Sequence, residues 1–300
     1  MIQNFQQLRD AAAGKGPVPM AVAMANDPHV IESVSEAAKQ GLVRPILVGP
    51  VAEVEALVKD IAPDMQYEIV EAKDKQEASV KATQLVSGGS AQILMKGLVD
   101  TSIILHEVLN KEYGLRTGNI LSHVGVVKVD AYPKLLFISD GAMLIAPNAE
   151  QKEKLIENAL PLMHSLGIEK PKVAILAAKE SVSDKMQATL DAQILVDKNQ
   201  SGEIADCVVE GPFALDNAID KEAASIKGIQ GEVVGEADLL VAPQIESGNI
   251  LYKSLVYLAG AESAGLITGA THPIVLTSRA DSAEAKLNSI ALAVLVATKE

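Results

Sequence analysis

Short apolar runs, each long enough for one buried strand, recur along this chain with helix-length segments between them. That alternation restricts the fold more than any other feature of the sequence. PMAVAM (19–24), PILVG (45–49), YEIVEA (67–72) and AQILMKG (91–97) read as strands. Between the first two, Asp27 is placed to cap a helix with Pro28 at its first position, and Gly41 to end it. A helix is expected over 51–60. Asp74 and Glu77 have capping-box spacing and introduce a further helix over 75–87, closed by Gly88-Gly89. Strands and helices alternating at these lengths indicate βαβ units and a largely parallel sheet. After a helix over 101–112 the pattern is interrupted. HVGVVKV (123–129) and KLLFISDG (134–141), separated by Asp130-Ala131-Tyr132-Pro133, resemble a hairpin. The alternation then resumes with a helix from Glu150 to Gly167, strand KVAILAA (172–178), a helix over 184–195 and strand ADCVVEGP (205–212). It ends with strand DLLVAP (238–243), a helix Asn249–Leu258, strand PIVLTS (273–278) and a helix over 282–298 apolar enough to pack against the sheet. No Pro-, Gly- or Ser-rich linker separates two halves. Two domains would require the chain to cross between them more than once, with a boundary near 140.

Composition excludes several functions. Of 300 residues, 26 are Lys or Arg and 39 Asp or Glu, for a net charge of −13. There are three Phe, five Tyr and no Trp. Such a chain repels a phosphate backbone and lacks platforms for stacking bases, so no nucleic-acid partner is expected. No apolar run reaches the ~18–20 residues that span a bilayer, so no membrane partner is expected. MIQNFQQLRDAAAGKG lacks the pattern of a signal peptide. A hydrophobic content of 48% supplies a large core. The expectation is a soluble, cytoplasmic protein in which the single Cys207 forms no internal disulfide.

In parallel α/β sheets ligands meet the carboxyl ends of strands, where loops enter helices. Three such loops stand out. After DLLVAP, Ser247-Gly248-Asn249 reads as the entrance to a helix, suited either to an anion or to an ordinary cap and turn. After PIVLTS, Ser278 and Arg279 precede a helix for which Asp281 and Glu284 have capping-box spacing. Arg279 is one of four arginines, with Arg9, Arg44 and Arg116. Its place suits a phosphate held with help from a helix dipole; a surface ion pair is the other reading. The third loop, Gly114 to Asn119, carries Arg116 between glycines and reads as a binding loop or a solvated connector. Lys96-Gly97 and Asp100-Thr101 form a weaker site of the same kind. Other chemistry is absent from the motifs. The five histidines, His29, His106, His123, His164 and His272, show no metal-ligand spacing, so no metal is expected. Cys207 lies in an apolar run and reads as core. No GxSxG, P-loop or GxGxxG occurs.

Several of these segments carry a family resemblance. LMKGLVDTS (94–102), GLRTGNILSHVGVV (114–127), GPFALDNAID (211–220), APQIESGNILYKSLVYLAGAESAG (242–265) and TSRADSAEAKLNSIALA (277–293) resemble the phosphate acetyl/butyryltransferase family, in order and along nearly the whole chain. The similarity is greatest to the phosphate butyryltransferase branch. It implies a two-domain α/β fold like that of isocitrate and isopropylmalate dehydrogenases, with the active site in the interdomain cleft. Residues 1–140 plus 262–300 would form the first domain, and 141–261 a second used for dimerisation or higher homo-oligomers. The implied reaction interconverts short-chain acyl-CoA and phosphate with acyl phosphate and CoA through a ternary complex. Coenzyme A is then a co-substrate, and no tightly bound cofactor is expected. A phosphate acetyltransferase, or a non-catalytic CoA or acyl-phosphate binding protein of the same fold, are the alternatives.

Carried over by position, the family's Ser-Arg motif falls on Ser278 and Arg279. Arg279 would hold the phosphoryl group, and Ser278 would assist the thiolate or the carbonyl oxygen. The A/S-G-N-I-x-Y-K segment falls on Ser247, Gly248, Asn249 and onward to Lys253. Two positions depart from the acetyltransferase pattern. Where those members carry an Asp proposed as base for the CoA thiol stands Ala285, leaving the adjacent Glu284 as a candidate. Where they place a phosphate-site arginine after Thr101 stands His106, leaving Lys96 or Arg116 to supply the charge.

Overall fold

The computed structural model describes residues 1–277 and 281–298. The backbone divides into two compact units, one of residues 6–119 and 264–300, the other of residues 1–5 and 120–263.

The first unit opens at Gln6 within α1 (Phe5–Ala13), an element the alternation gave no reason to expect. Its Phe5, Leu8 and Ala12 recur at helical spacing and are fully buried. Then follow β1 (Val18–Ala23), α2 (Pro28–Lys39), β2 (Val43–Gly49), α3 (Val51–Ile61), β3 (Glu68–Glu71), α4 (Lys75–Ser87), β4 (Ile93–Lys96) and α5 (Thr101–Val108). The caps work as the sequence predicts. Asp27 accepts from the Val30 N–H at 3.1 Å, and Asp74 from the Glu77 N–H at 2.8 Å. Glu77 turns back to the N–H of Lys73, one residue before the cap, so only half of the capping box forms there. β1, β2, β3 and β4 are parallel in the order β3-β2-β1-β4. The chain winds outward from β1 to β3, then returns to place β4 on the other side of β1. Such a reversal opens a crevice at the carboxyl ends of β1 and β4.

The second unit contains β5 (Ser122–Lys128), β6 (Leu136–Ser139), α6 (Ala149–Ser165), β7 (Lys172–Leu176), α7 (Gln187–Ser201), β8 (Val208–Phe213), two short helices α8 (Leu215–Ile219) and α9 (Lys221–Ile226), β9 (Leu239–Val241) and α10 (Ile245–Tyr257). The strand order is β5-β6-β9-β7-β8, with β5 antiparallel to β6 and the other neighbours parallel. The hairpin read from the sequence is β5–β6. Because β6 pairs with β9, from Phe137↔Leu239 to Ser139↔Val241, the whole hairpin belongs to this unit. The division therefore falls at 119/120, not near 140. α10 lays Leu251, Tyr252, Leu255 and Val256 on a core that includes Ile138, Leu240 and Phe213. With Gly248, the one buried residue of α10, these recur every three or four positions and define its inward face.

The chain returns to the first unit through β10 (Glu262–Thr268), β11 (Ile274–Val275) and α11 (Ala283–Ala297). β10, whose Ala- and Gly-containing ESAGLIT gives a weak strand signal, pairs antiparallel with β11, and β11 pairs parallel with β4. α11 is buried from Ala285 to Leu295, as its apolar composition predicts. Its cap is Ser282, which accepts from the Ala285 N–H at 3.1 Å, and not Asp281. Asp281 instead offers its carbonyl to the Lys286 ammonium at 2.6 Å.

Candidate active site

In the second unit the segment Ser247-Gly248-Asn249 does not form a loop at a helix entrance. α10 begins at Ile245, so all three residues lie in its first turns. The Gly248 N–H donates to the Gln244 carbonyl at 3.2 Å, and the Ser247 hydroxyl donates to that same carbonyl at 2.7 Å. The Gly248 N–H and the Ser247 hydroxyl are thus engaged within the helix. The glycine has a different purpose: a Cβ there would stand 2.4 Å from the carbonyl oxygen of Asp140. Its absence lets α10 press against the chain leaving β6. At that contact Asn249 Nδ2 donates to the Gly141 carbonyl at 2.9 Å. Lys253, one turn further on, is exposed, with its ammonium 5.8 Å from the centre of the Tyr257 ring.

Asp140 organises this strand end. Its buried carboxylate accepts from the backbone N–H groups of Ala142 at 2.7 Å, Met143 at 2.9 Å and His123 at 2.9 Å. Neither Asp140 nor Gly141 stands out in the sequence, where KLLFISDG reads as continuous strand. An Asp-Gly pair closing an apolar run was the available signal.

In the first unit, Lys96 and Gly97 occupy the crevice between β1 and β4. A Cβ on Gly97 would fall 2.4 Å from the Met24 carbonyl oxygen, so glycine permits the two strand ends to close on each other. Lys96 is buried, with its ammonium donating to the carbonyls of Val99 at 3.2 Å and Gly97 at 3.4 Å. Asp100 caps α5 through its backbone and pairs with Lys75 at 3.1 Å; exposed Thr101 is the first helical residue. The weaker of the sequence sites thus lies at the position where such sheets bind ligands.

Below it, Glu107 ties the end of α5 to its surroundings. Its side chain is 2% exposed and accepts from Tyr113 Oη, from Gln76 Nε2 at 2.7 Å and from His106 Nδ1 at 2.8 Å. Burial pushes its pKa up, but the three hydrogen bonds outweigh burial and hold the carboxyl below its ordinary value. The Tyr113 hydroxyl is pushed up to about 12, first by its bond to Glu107. His106 is exposed and serves this cluster. The loop beyond carries exposed Arg116, which bridges Ala270 through its backbone, while Thr117 Oγ1 donates to the Gly269 carbonyl at 2.6 Å. The loop is a fastened one.

Other arginines are committed elsewhere. Arg9 donates to Asn288 at 2.6 Å and Gln6 at 2.9 Å, and lies 3.6 Å from Glu284. Glu284 faces a cavity of about 600 Å³ shared with Arg9, Asp10, Glu32 and Glu36 on α1 and α2. Arg44 pairs with Glu68 at the exposed ends of β2 and β3. Ser278 and Arg279 lie outside the described residues. Thr277, just before them, is buried, and the register Val275↔Met95 brings the end of β11 beside the strand that ends in Lys96. Among the described residues no three His, Cys, Asp or Glu side chains are grouped to hold a metal, and no helix is long and apolar enough to cross a membrane.

Residues 64–294 match the family model described as phosphate acetyl/butaryl transferase. The chain belongs to that family. It is 45% identical over all 300 residues to a phosphate butyryltransferase of Clostridium beijerinckii, covering 99% of that protein. It is 44% identical over 293 residues to a phosphate acetyltransferase of Thermotoga maritima, covering 98% of this chain and 99% of that one. Among solved structures, a branched-chain phosphotransacylase from Enterococcus faecalis V583 matches with a TM-score of 0.82 and 32% identity, over 93% of this chain and 99% of its own. A 4-hydroxythreonine-4-phosphate dehydrogenase from Klebsiella pneumoniae matches with a TM-score of 0.58 over 94% of this chain and all of its own. At 12% identity that likeness shows the fold alone, and it agrees with the dehydrogenase-like fold that membership of this phosphate acyltransferase family implies.

Proposed function

We propose that this chain catalyses reversible acyl transfer between coenzyme A and inorganic phosphate, with short-chain acyl groups, butyryl or branched, as substrates. Similarity at 45% identity over the whole chain to a phosphate butyryltransferase carries this reading. In the forward direction a phosphate oxygen attacks the thioester carbonyl carbon. The resulting tetrahedral oxyanion collapses with cleavage of the C–S bond, giving acyl phosphate and CoA. Donors aimed at that oxyanion lower the barrier, and fixed positions for the two anionic reactants remove their cost of encounter.

Arg279 is assigned the phosphoryl group and Ser278 the carbonyl oxygen or thiolate. Lys96, at the crevice between β1 and β4, and Arg116 supply further positive charge, and Thr101 stands at the positive end of α5. Asn249 and Lys253 on α10 contribute the polar groups of the second unit. Ser247 and Gly248 act through the seating of that helix. Glu284 has weaker support as a base, because it pairs with Arg9. No acyl-enzyme is required, and burial pushes the Cys207 thiol up to about 11, far from a nucleophile at neutral pH. Exposed Ile250 and Tyr257 on α10, with Leu258 just past its end, support a homo-oligomer built through the second unit.

Release of free thiol from butyryl-CoA, with and without phosphate, tests the reading. Turnover is expected to require phosphate, and Arg279→Ala to abolish it. Thiol release independent of phosphate would overturn the reaction, and near-normal kinetics in the variant would overturn the role of Arg279. The acetyltransferase relative at 44% identity favours a second reading, acetyl as the preferred group. A rate series from acetyl-CoA to hexanoyl-CoA separates the two by the position of its maximum.

A further inference from the structure

His123 belongs to none of the residues assigned above, yet it stands at the end of β5 that lies beside the carboxyl end of β6. β5 runs antiparallel to β6, so the first residues of β5 lie beside the last of β6. The two are joined there. Ser139 Oγ donates to the His123 carbonyl at 3.0 Å, and the His123 N–H donates to Asp140 Oδ2 at 2.9 Å. Asp140 leads directly into Gly141, whose carbonyl accepts from Asn249. His123 and Asn249 are therefore both hydrogen-bonded to the short stretch 139–141.

The ring is oriented as well. Tyr252, from the inward face of α10, meets the partly buried imidazole edge-on, with centres 6.2 Å apart and planes at 89°. Gly125 makes room for this pair: a Cβ there would come 2.9 Å from two carbons of the Tyr252 ring and 3.4 Å from His123 Cε1. A titratable side chain with its peptide fixed on both sides and its ring set by an aromatic partner is built for a task at one place.

The reaction proposed above has such a task. Acyl transfer from acyl phosphate to CoA consumes a thiol, which ionises near a pKa of ~8.5, whereas an ordinary imidazole titrates near ~6.5 and is neutral at pH 7.5. We propose that His123 is the proton acceptor for the CoA thiol, an assignment that rests on the acyl-transfer reading. A neutral ring nitrogen takes the S–H proton as sulfur attacks the acyl carbon. The C–S bond forms, the tetrahedral oxyanion collapses, and the C–O bond to phosphate breaks. In the opposite direction the imidazolium returns its proton to sulfur as the C–S bond cleaves, so no further reactant is needed. Asp140, at the end of β6, is bonded to the His123 peptide, and Tyr252, from α10, meets its ring. Asp140 itself is engaged by three backbone N–H groups.

The test uses His123→Gln, which keeps the polar shape and loses the titration, in the full-length protein. In the CoA-consuming direction, wild-type kcat should rise with pH through the histidine range. The variant should lose that limb and at least ~100-fold in kcat, with KM for CoA little changed. His123→Ala, with imidazole added to the buffer, should recover part of the loss. A variant within threefold of wild type that keeps the pH limb overturns the assignment. So does a large loss with the limb intact and no rescue by imidazole, which is the signature of a structural role. Wild-type protein lacking phosphate-dependent turnover overturns the acyl-transfer reading itself and this assignment with it.

Discussion

Gly248→Ala provides a test in which two ordinary expectations point in opposite directions. In an exposed helix the change is stabilising by ~1 kcal/mol, since alanine is the better helix former. At this position the new methyl would stand 2.4 Å from the Asp140 carbonyl oxygen and 3.1 Å from the Ala242 Cβ. Ordinary contact begins near 3.4 Å, so α10 and the chain leaving β6 must separate by about 1 Å. Overpacking of this kind costs ~1–3 kcal/mol, which exceeds the gain in propensity. The facing side offers no relief. A Cβ on Gly141 would already lie 3.0 Å from the Asn249 nitrogen, so the two backbones are seated against each other.

The net expectation is a loss of ~1 kcal/mol in stability, read from urea denaturation midpoints. Activity should suffer more. A shift of about 1 Å parts Asn249 from the Gly141 carbonyl, and misplacement on that scale costs ~100-fold in kcat/KM for phosphate-dependent thiol release. The combination separates this mechanism from general damage, which lowers stability and active fraction together. A Gly248→Ala protein more stable than wild type, with unchanged kcat/KM, would refute the argument that glycine is required for the close approach of α10.

Glu107→Gln removes the charge that Tyr113, His106 and Gln76 converge upon, at a cost of ~1–3 kcal/mol near pH 7. The folded-state pKa of Glu107 lies below its ordinary value of 4.5, so its contribution is complete above that value and fades as pH falls through the lower, folded-state pKa. The stability gap between wild type and variant, followed from pH 7 downward, should hold to about pH 4.5 and then close; a gap that stays constant would refute the pairing. Cys207→Ala should leave kcat within about twofold of wild type, and iodoacetamide at pH 7 should leave the native protein active, because burial keeps the thiol protonated. Inactivation at a rate typical of an exposed thiol would contradict its burial.

The parts of this fold legible in the sequence are those that local chemistry decides. Asp27 and Asp74 cap helices because each carboxylate finds an amide three residues on. The strands of the first half follow from apolar runs between such caps. The misreadings share one cause. Ser247-Gly248-Asn249 looks like a cap and turn because those residues usually make one, yet here the glycine answers to Asp140, more than a hundred residues earlier in the chain. Asp281 and Ser282 are both good caps, and the burial of Ala285 onward along α11 selects the second. β10 gives a weak strand signal because Ala264 and Gly265 interrupt its apolar run, yet Ile267 pairs with Ile274 of β11 and the Gly265 N–H donates to Ser289 Oγ on α11. In each case the deciding partner is distant in sequence and near in space.

The same distinction bears on how so acidic a chain can work on anions. Its net charge of −13 comes with four arginines, and local sequence cannot rank them. Packing accounts for two of them. Arg9 donates to Asn288, which fastens α1 to α11, and to Gln6 on its own helix, and Arg44 faces Glu68 across two exposed strand ends. Arg116 stays exposed on its fastened loop, and Lys96 is seen at the crevice only once β4 returns to the far side of β1. Small anions do not need a basic surface. They need a few donors converging where strands end, with the surrounding negative charge screened beyond about 8 Å at physiological ionic strength. The acidity and the scarcity of arginine then fit together: a surface that repels polyanions leaves phosphate and CoA to be selected by local geometry.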